Sequence, residues 1–391
     1  MPRALDVVIA PDSFKGSLTS VEVAQALADG WRRARPDDRV ELAPLADGGQ
    51  GTIVAIAAAG GWEWRETEVH GPDFAPVRAT WLISPDGRSA VIEMAAASGL
   101  SLIPVGQRRT TEFTSMGTGE LIRAALDAGV REITLGIGGS ATSDGAAGIL
   151  TVLGAIFRGA DGAPLAEPPN PPVAIALAQV ASVDLSGLDP RLAEVELRIA
   201  CDVTNPLLGP DGAAAVYGPQ KGATPDDVEA LDGALSVYGA ALEAATGRRE
   251  RATPGAGAAG GVGFGLLCLS DHFRKVELVP GVDVVMAAAD LEGKLARADL
   301  VITGEGRIDA QTAFGKTALG VARAAKAAGV PCIAVGGGVE PGGIEALADL
   351  AVVVPVVERP MSVEEAMAGG PGPLERCGER IARLVGLSLA T

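Results

Sequence analysis

Asp299-Leu-Val-Ile-Thr-Gly-Glu-Gly-Arg-Ile-Asp-Ala-Gln-Thr-Ala-Phe-Gly-Lys-Thr317 leads into an alanine-rich stretch, residues 318–328, that stops at Gly329. The apolar run as far as Thr303 reads as a buried strand, the alanine-rich stretch as a helix, and residues 304–317 as the loop between them. A loop so placed lies where α/β sheets bind ligands. It sets two carboxylates and a lysine among glycines, the chemistry of phosphate and metal. Glu305, Asp309 and Lys316 are therefore expected to face a cleft.

The same alternation extends through the chain. Val7-Val-Ile-Ala10, Ile133-Thr-Leu-Gly-Ile137 and Leu300-Val-Ile302 are continuously apolar and are separated by alanine-rich helical segments, the pattern of parallel sheets covered on both faces. The predicted class is α/β. Residues 62–93 differ, with short β-rich runs at 62–69, 77–83 and 89–93 and a Pro85-Asp-Gly87 turn, which predicts an antiparallel meander. Proline-rich 164–172 and Gly/Ala-rich 252–263 are the other breaks in the pattern.

Composition narrows the partner. A formal charge of −17 argues against nucleic acid, whose binding needs clustered Lys and Arg, and favours a small molecule. If that molecule is anionic, a divalent cation and a few local lysines must reverse the sign of the field. The four cysteines, Cys201, Cys268, Cys332 and Cys377, have neither zinc nor disulfide spacing, and a reducing cytoplasm is expected. No apolar run reaches membrane-spanning length, so no membrane partner is expected. His70 and His272 sit in polar stretches, which disfavours a histidine base.

Four glycine-rich segments share a strand-loop-helix setting. In the first, Asp12-Ser-Phe-Lys-Gly-Ser17, Lys15 offers a point charge to a carboxylate or phosphate and Ser13 a hydrogen bond. Thr19-Ser-Val-Glu22 matches a capping box, and Val23, Leu27 and Trp31 recur on one face, so a helix starts directly after this loop. The second, Leu45-Ala-Asp-Gly-Gly-Gln-Gly-Thr52, offers Asp47 either as an N-cap or as a group that positions a substrate hydroxyl or metal-bound water. The third, Gly136-Ile-Gly-Gly-Ser-Ala-Thr-Ser-Asp-Gly145, has N–H groups and hydroxyls suited to a polyphosphate. It also fits a dinucleotide pattern through Gly136, Gly138 and Ala141, although no acidic residue closes the next strand. The fourth is the opening segment, whose 310–317 portion misses the Walker A pattern by Ala310 in place of glycine. Beyond these, Asp202 and Asn205 in Cys201-Asp-Val-Thr-Asn-Pro206 are oxygen ligands suited to magnesium, with an Asx-Pro turn as the structural alternative. Gly218-Pro-Gln-Lys-Gly222 follows, and Gly257-Ala-Ala-Gly-Gly-Val-Gly263 reads equally as hinge, phosphate loop or close-packed backbone.

Taken in order, these segments together with Thr114-Ser-Met-Gly-Thr-Gly-Glu-Leu-Ile122 resemble the bacterial-type glycerate kinase family, and the resemblance runs nearly end to end. Gln50 stands where that family typically has Glu, and Ser143 where Asn is common. The resemblance implies ATP-dependent phosphorylation of D-glycerate, usually to 2-phosphoglycerate, by two α/β domains of restriction-endonuclease-like and flavodoxin-like type with the active site in the cleft between them. It further implies that one domain is assembled from both chain ends. Together with the composition breaks, this gives a discontinuous domain of residues 1–66 plus 293–391 around an inserted domain 67–292. A monomer or homodimer is expected.

Phosphoryl transfer asks for positioning and charge neutralisation. The expected assignment gives the nucleotide phosphates to Gly138, Gly139, Ser140, Thr142 and Asp144 with Gly304 and Gly306, and Mg²⁺ to Asp202 and Glu305. Glycerate falls to Asp12, Ser13, Lys15 and Asn205, with Lys15 serving its carboxylate or the transferred phosphoryl. Asp47 and Asp309 are the candidates to accept the hydroxyl proton, and Lys316 serves the γ-phosphoryl. The competing readings are an NADP-dependent oxidoreductase acting on a small hydroxy acid, a 3-phosphoglycerate-forming kinase, and a non-catalytic nucleotide sensor.

Overall fold

Early and late parts of the chain build one parallel sheet, and the residues between them build a mixed one. The structure, a computed structural model, describes residues 3–46, 51–167, 170–310, 312 and 317–387. Contacts divide the described residues into two compact units, one from 1–47, 54–60 and 280–391, the other from 48–53 and 61–279.

Strands β1 (Asp6–Pro11) and β2 (Arg39–Leu42) open the first unit. The second contains β3 (Glu63–His70), β4 (Pro76–Ile83), β5 (Ser89–Glu93), β6 (Glu132–Gly136), β7 (Ile156–Arg158), β8 (Ser182–Asp184), β9 (Glu196–Ala200) and β10 (Lys275–Val279). The chain then returns to the first unit with β11 (Leu300–Ile308), β12 (Cys332–Val339) and β13 (Val352–Pro355).

The first sheet has the order β13-β12-β11-β1-β2, and every pair is parallel. Val7 and Ile9 of β1 with Leu300 and Ile302 of β11 lie in one apolar cluster with Val23, Leu27 and Trp31 of the helix Ser20–Ala34. The cluster also takes Leu374, Cys377 and Ile381 from the helix Gly372–Val385. The expected capping box is present, with Glu22 N–H donating to Thr19 Oγ1 at 3.3 Å and Thr19 N–H donating to Glu22 Oε2 at 2.8 Å. Trp31 is wholly buried, and its indole N–H, 3.0 Å from Asp38 Oδ2, keeps a partner there.

The second sheet has the order β10-β9-β6-β5-β4-β3. Strands β3, β4 and β5 form the expected antiparallel meander, while β5, β6, β9 and β10 run parallel. A domain cut at 66/67 would pass through β3, which pairs with β4 over its whole length from Glu63↔Ile83 to His70↔Pro76. A cut at 292/293 would split the helix Leu291–Leu295. The unit edges fall instead at 60/61 and 279/280, because strand pairing binds residues more firmly than the composition change that suggested the earlier position.

Candidate active site

In the first unit, β1 sends the chain through the helix Ser20–Ala34 to β2 on one side, while β11 flanks it on the other. The connections therefore diverge between β1 and β11, the switch point at whose carboxyl end open α/β sheets take ligands. The register Pro11↔Gly304 brings Asp12 beside Glu305, and Asp12 N–H donates to the Gly304 carbonyl at 2.8 Å. Both carboxylates are buried, at 6% exposure each. Asp12 Oδ1 accepts the Ser13 N–H at 2.6 Å, and its Oδ2 accepts the hydroxyl of Thr317, the first residue of the helix Thr317–Ala328, at 2.6 Å. Glu305 Oε1 accepts the Thr312 hydroxyl at 2.6 Å. Ser13 is half-buried and Lys15 exposed on the adjoining loop.

Gly304, Glu305 and Gly306 lie within β11 and not in a loop, which corrects the expectation for 304–308. Glycine weakens a strand locally, but the partner decides: β11 and β12 stay in register from Val301↔Cys332 to Ile308↔Val339. Asp309 follows directly, half-buried, with Oδ2 3.4 Å from Arg307 Nε and its own N–H donating to Thr312 Oγ1 at 3.2 Å. Thr312 and Thr317, which fasten the two strand-end carboxylates, were not singled out from sequence for that task. The only hint was a hydroxyl near each end of a glycine-containing connection. Asp47 and Lys316 lie outside the described residues.

In the second unit the glycine loop runs from the end of β6 to the helix Ala147–Val152. Gly138 is half-buried and Gly139 exposed, with φ +73°, so the backbone at these two positions is what the loop presents. Ser140, Thr142 and Asp144 point inward and are buried. Asp144 Oδ2 accepts Ser115 N–H at 2.7 Å, Ser115 hydroxyl at 2.8 Å and Gly148 N–H at 3.1 Å, so this carboxylate braces the loop against two helices. Burial pushes its pKa up, against the pull of those donors. The ammonium of Lys221 donates to Ser140 Oγ at 2.9 Å and to the Thr142 carbonyl at 2.6 Å. Lys221 belongs to the Gly218–Gly222 motif, but its burial depends on tertiary packing and leaves no local signal.

The Gly257–Gly263 run is close-packed backbone. A Cβ on Gly260, at φ +72°, would lie 2.1 Å from the Thr142 carbonyl oxygen, and Gly145 N–H donates to the Gly260 carbonyl at 3.0 Å. The nicotinamide pattern loses its geometry here. In a dinucleotide fold the third position lies in the opening helix, whereas the helix after Ala141 starts only at Ala147. Ala141 is buried, and its N–H goes to the Ser98 carbonyl at 2.9 Å.

Asn205 is committed at both ends of its amide, donating to the Asp211 carbonyl at 2.8 Å and accepting the Tyr217 hydroxyl at 2.6 Å. Asp202 is exposed just beyond β9. Glu93, unremarked in the sequence, closes β5 and accepts N–H groups of residues 51–53, with Ile53 N at 2.8 Å. It anchors the start of the helix Thr52–Ala58 that follows the Asp47 segment.

Among the described residues no three His, Cys, Asp or Glu side chains converge as a metal cluster. Glu305 in the first unit and Asp202 in the second each carry hard carboxylate oxygens, the donor type Mg²⁺ takes. Among the described residues no helix is long and apolar enough to cross a membrane.

The sequence model of the "Glycerate kinase family" matches residues 7–386. A Bacillus subtilis protein named glycerate kinase is 49% identical over 335 residues, covering 86% of this chain and 85% of that one. An Escherichia coli glycerate 2-kinase is 42% identical over 386 residues, 98% of this chain and 99% of its own. The crystal structure of a provisionally named glycerate kinase 2 from Salmonella typhimurium LT2 aligns with TM-score 0.85 and 44% identity, covering 98% of this chain and 99% of that chain. None of these supports hydride transfer, and the kinases among them are phosphotransferases. On sequence along nearly its whole length, and on fold, the chain belongs to the glycerate kinase family.

Proposed function

We propose that the protein transfers the γ-phosphoryl group of ATP to the 2-hydroxyl of D-glycerate in a Mg²⁺-dependent reaction, giving ADP and 2-phosphoglycerate. The observation that carries this reading is the pair Asp12 and Glu305 at the β1/β11 switch point with Lys15 on the adjoining loop. Two fixed carboxylates and an exposed lysine are the complement needed by an anionic acid and a cation-bound phosphate.

In this reading the glycerate hydroxyl oxygen attacks γ-phosphorus, the bond to the β,γ-bridging oxygen breaks, and the hydroxyl proton passes to Asp47 or Asp309. Glu305 and Asp202 carry the carboxylates that would hold Mg²⁺, whose charge would offset that of the phosphates. Lys15 meets the glycerate carboxylate or the transferred group, beside Asp12 and Ser13. Lys316 serves the γ-phosphoryl, with the β11 backbone at Gly304 and Gly306 assigned to the nucleotide phosphates. Backbone N–H groups at Gly138 and Gly139 take nucleotide phosphates, while Ser140, Thr142 and Asp144 shape that loop from within. Asn205, with its amide engaged, fixes the turn after Asp202.

The deciding assay incubates the protein with D-glycerate, ATP and Mg²⁺ and couples the product to enolase, with and without phosphoglycerate mutase. Turnover by enolase alone is expected. A requirement for the mutase would move the phosphoryl group to the 3-hydroxyl, and absence of ADP release would remove the kinase assignment altogether. Asp47→Asn retaining near-normal turnover would take Asp47 out of the proton-accepting role, leaving Asp309.

A further inference from the structure

The glycine loop of the second unit rests on a buried lysine. Lys221 sits on the short 3₁₀ turn Pro219–Lys221 with 2% exposure, and its two hydrogen bonds end on Ser140 and Thr142, directly behind half-buried Gly138 and exposed Gly139. Both acceptors are neutral. Burying an ammonium against neutral partners is unfavourable unless another charge compensates. Among the described residues the carboxylate that acts on Lys221 is Asp144, whose Oδ1 has no hydrogen-bond partner. Arg108 packs against the neighbouring Gly222, sends Nη1 to the Gln220 carbonyl at 3.1 Å, and also keeps a buried, unpartnered Nε. Among the described residues, the protein side of the loop thus holds two basic side chains, Lys221 and Arg108, one carboxylate, Asp144, and two buried polar atoms without a partner. An arrangement so incompletely compensated is what a site built to meet an incoming anion requires.

The geometry points to Lys221 as a positioning residue for the phosphoryl donor: it fixes the 138–144 loop from behind and projects positive potential through it onto the nucleotide phosphates. This rests on the assignment of that loop to the nucleotide. Burial lowers the Lys221 pKa to about 7, opposed by Asp144. A polyanion at the loop tip favours the charged lysine, so nucleotide binding draws a proton from solution at pH 8.

The test titrates ATP with Mg²⁺, glycerate omitted, into the full chain at pH 8 by calorimetry in two buffers of different ionisation enthalpy. Wild type is expected to take up a fraction of a proton, and Lys221→Met to take up none. In steady state, Lys221→Met should raise KM for ATP at least tenfold, with kcat and KM for glycerate changed no more than about threefold. A folded Lys221→Met with wild-type KM for ATP overturns the inference. So does a uniform loss in kcat and both KM values, which marks a merely structural lysine. If the variant does not fold, the wild-type measurement decides, and absence of proton uptake overturns the inference. Gly139→Val separates the two levels: if it weakens ATP binding while Lys221→Met does not, only Lys221 loses its role. If it leaves ATP binding intact, the loop assignment fails and the inference with it.

Discussion

At the scale of single residues, the proposed site rests on carboxylates that the protein has already fastened. Glu305 holds a hydroxyl from Thr312, and Asp12 holds one from Thr317, so neither rotamer has to be set when substrate arrives. Glu305→Gln keeps shape and removes charge; kcat is expected to fall about 10²-fold, read by ADP release, with an unchanged circular dichroism spectrum. Lys221 gives a pH prediction in the unliganded protein. Its folded pKa of about 7 lies below the ordinary lysine value, so between the two the unfolded chain binds the proton that the native state releases. Its contribution to stability is therefore fully present above the ordinary lysine range and is lost as pH falls through about 7. Urea midpoints of wild type minus those of Lys221→Met should rise from pH 7 to pH 10, and a flat difference would refute the lowered pKa. Lys15 and Glu305 could be singled out from sequence because charge beside glycine at a strand end is a local pattern. Lys221, Glu93 and the inward turn of Asp144 could not, because burial is conferred by segments far away in the chain.

At the scale of elements, local and non-local signals separate cleanly. The capping box at Thr19 needs only residues three apart, and it stands in the structure as the sequence predicts. Thr19→Ala should cost about 1 kcal/mol of stability, measured by chemical denaturation. The end of β11 was misplaced because its last residues are held by β12, over thirty positions on, against the local preference of Gly304 and Gly306. The glycine run at 257–263 was ambiguous for the same reason: what makes its small residues necessary is the backbone of another loop. Gly260→Ala must move the Thr142 carbonyl and adopt a left-handed φ, and a loss of at least about 2 kcal/mol is expected. A melting temperature equal to wild type would contradict that contact.

At the scale of the whole molecule, the class and the meander were legible in the pattern of apolar runs, the return of late residues to the first sheet only through the family resemblance, and the unit edges followed strand pairing. With a net charge of −17 around two anionic substrates, chelation by EDTA should abolish turnover and added Mg²⁺ restore it, leaving the circular dichroism spectrum unchanged. Activity persisting in EDTA would place charge neutralisation wholly on Lys and Arg. The pairing of Val7 with Leu300 also governs how the molecule is born. At ribosomal speeds of 5–20 residues per second, β1 waits about 15 to 60 s for its neighbour. Throughout that wait one bare edge of an apolar strand is open to any passing partner. The second unit's last residue, Val279, precedes β11, so nascent chains are most in need of chaperone shelter around β1 and β2, residues 6–42.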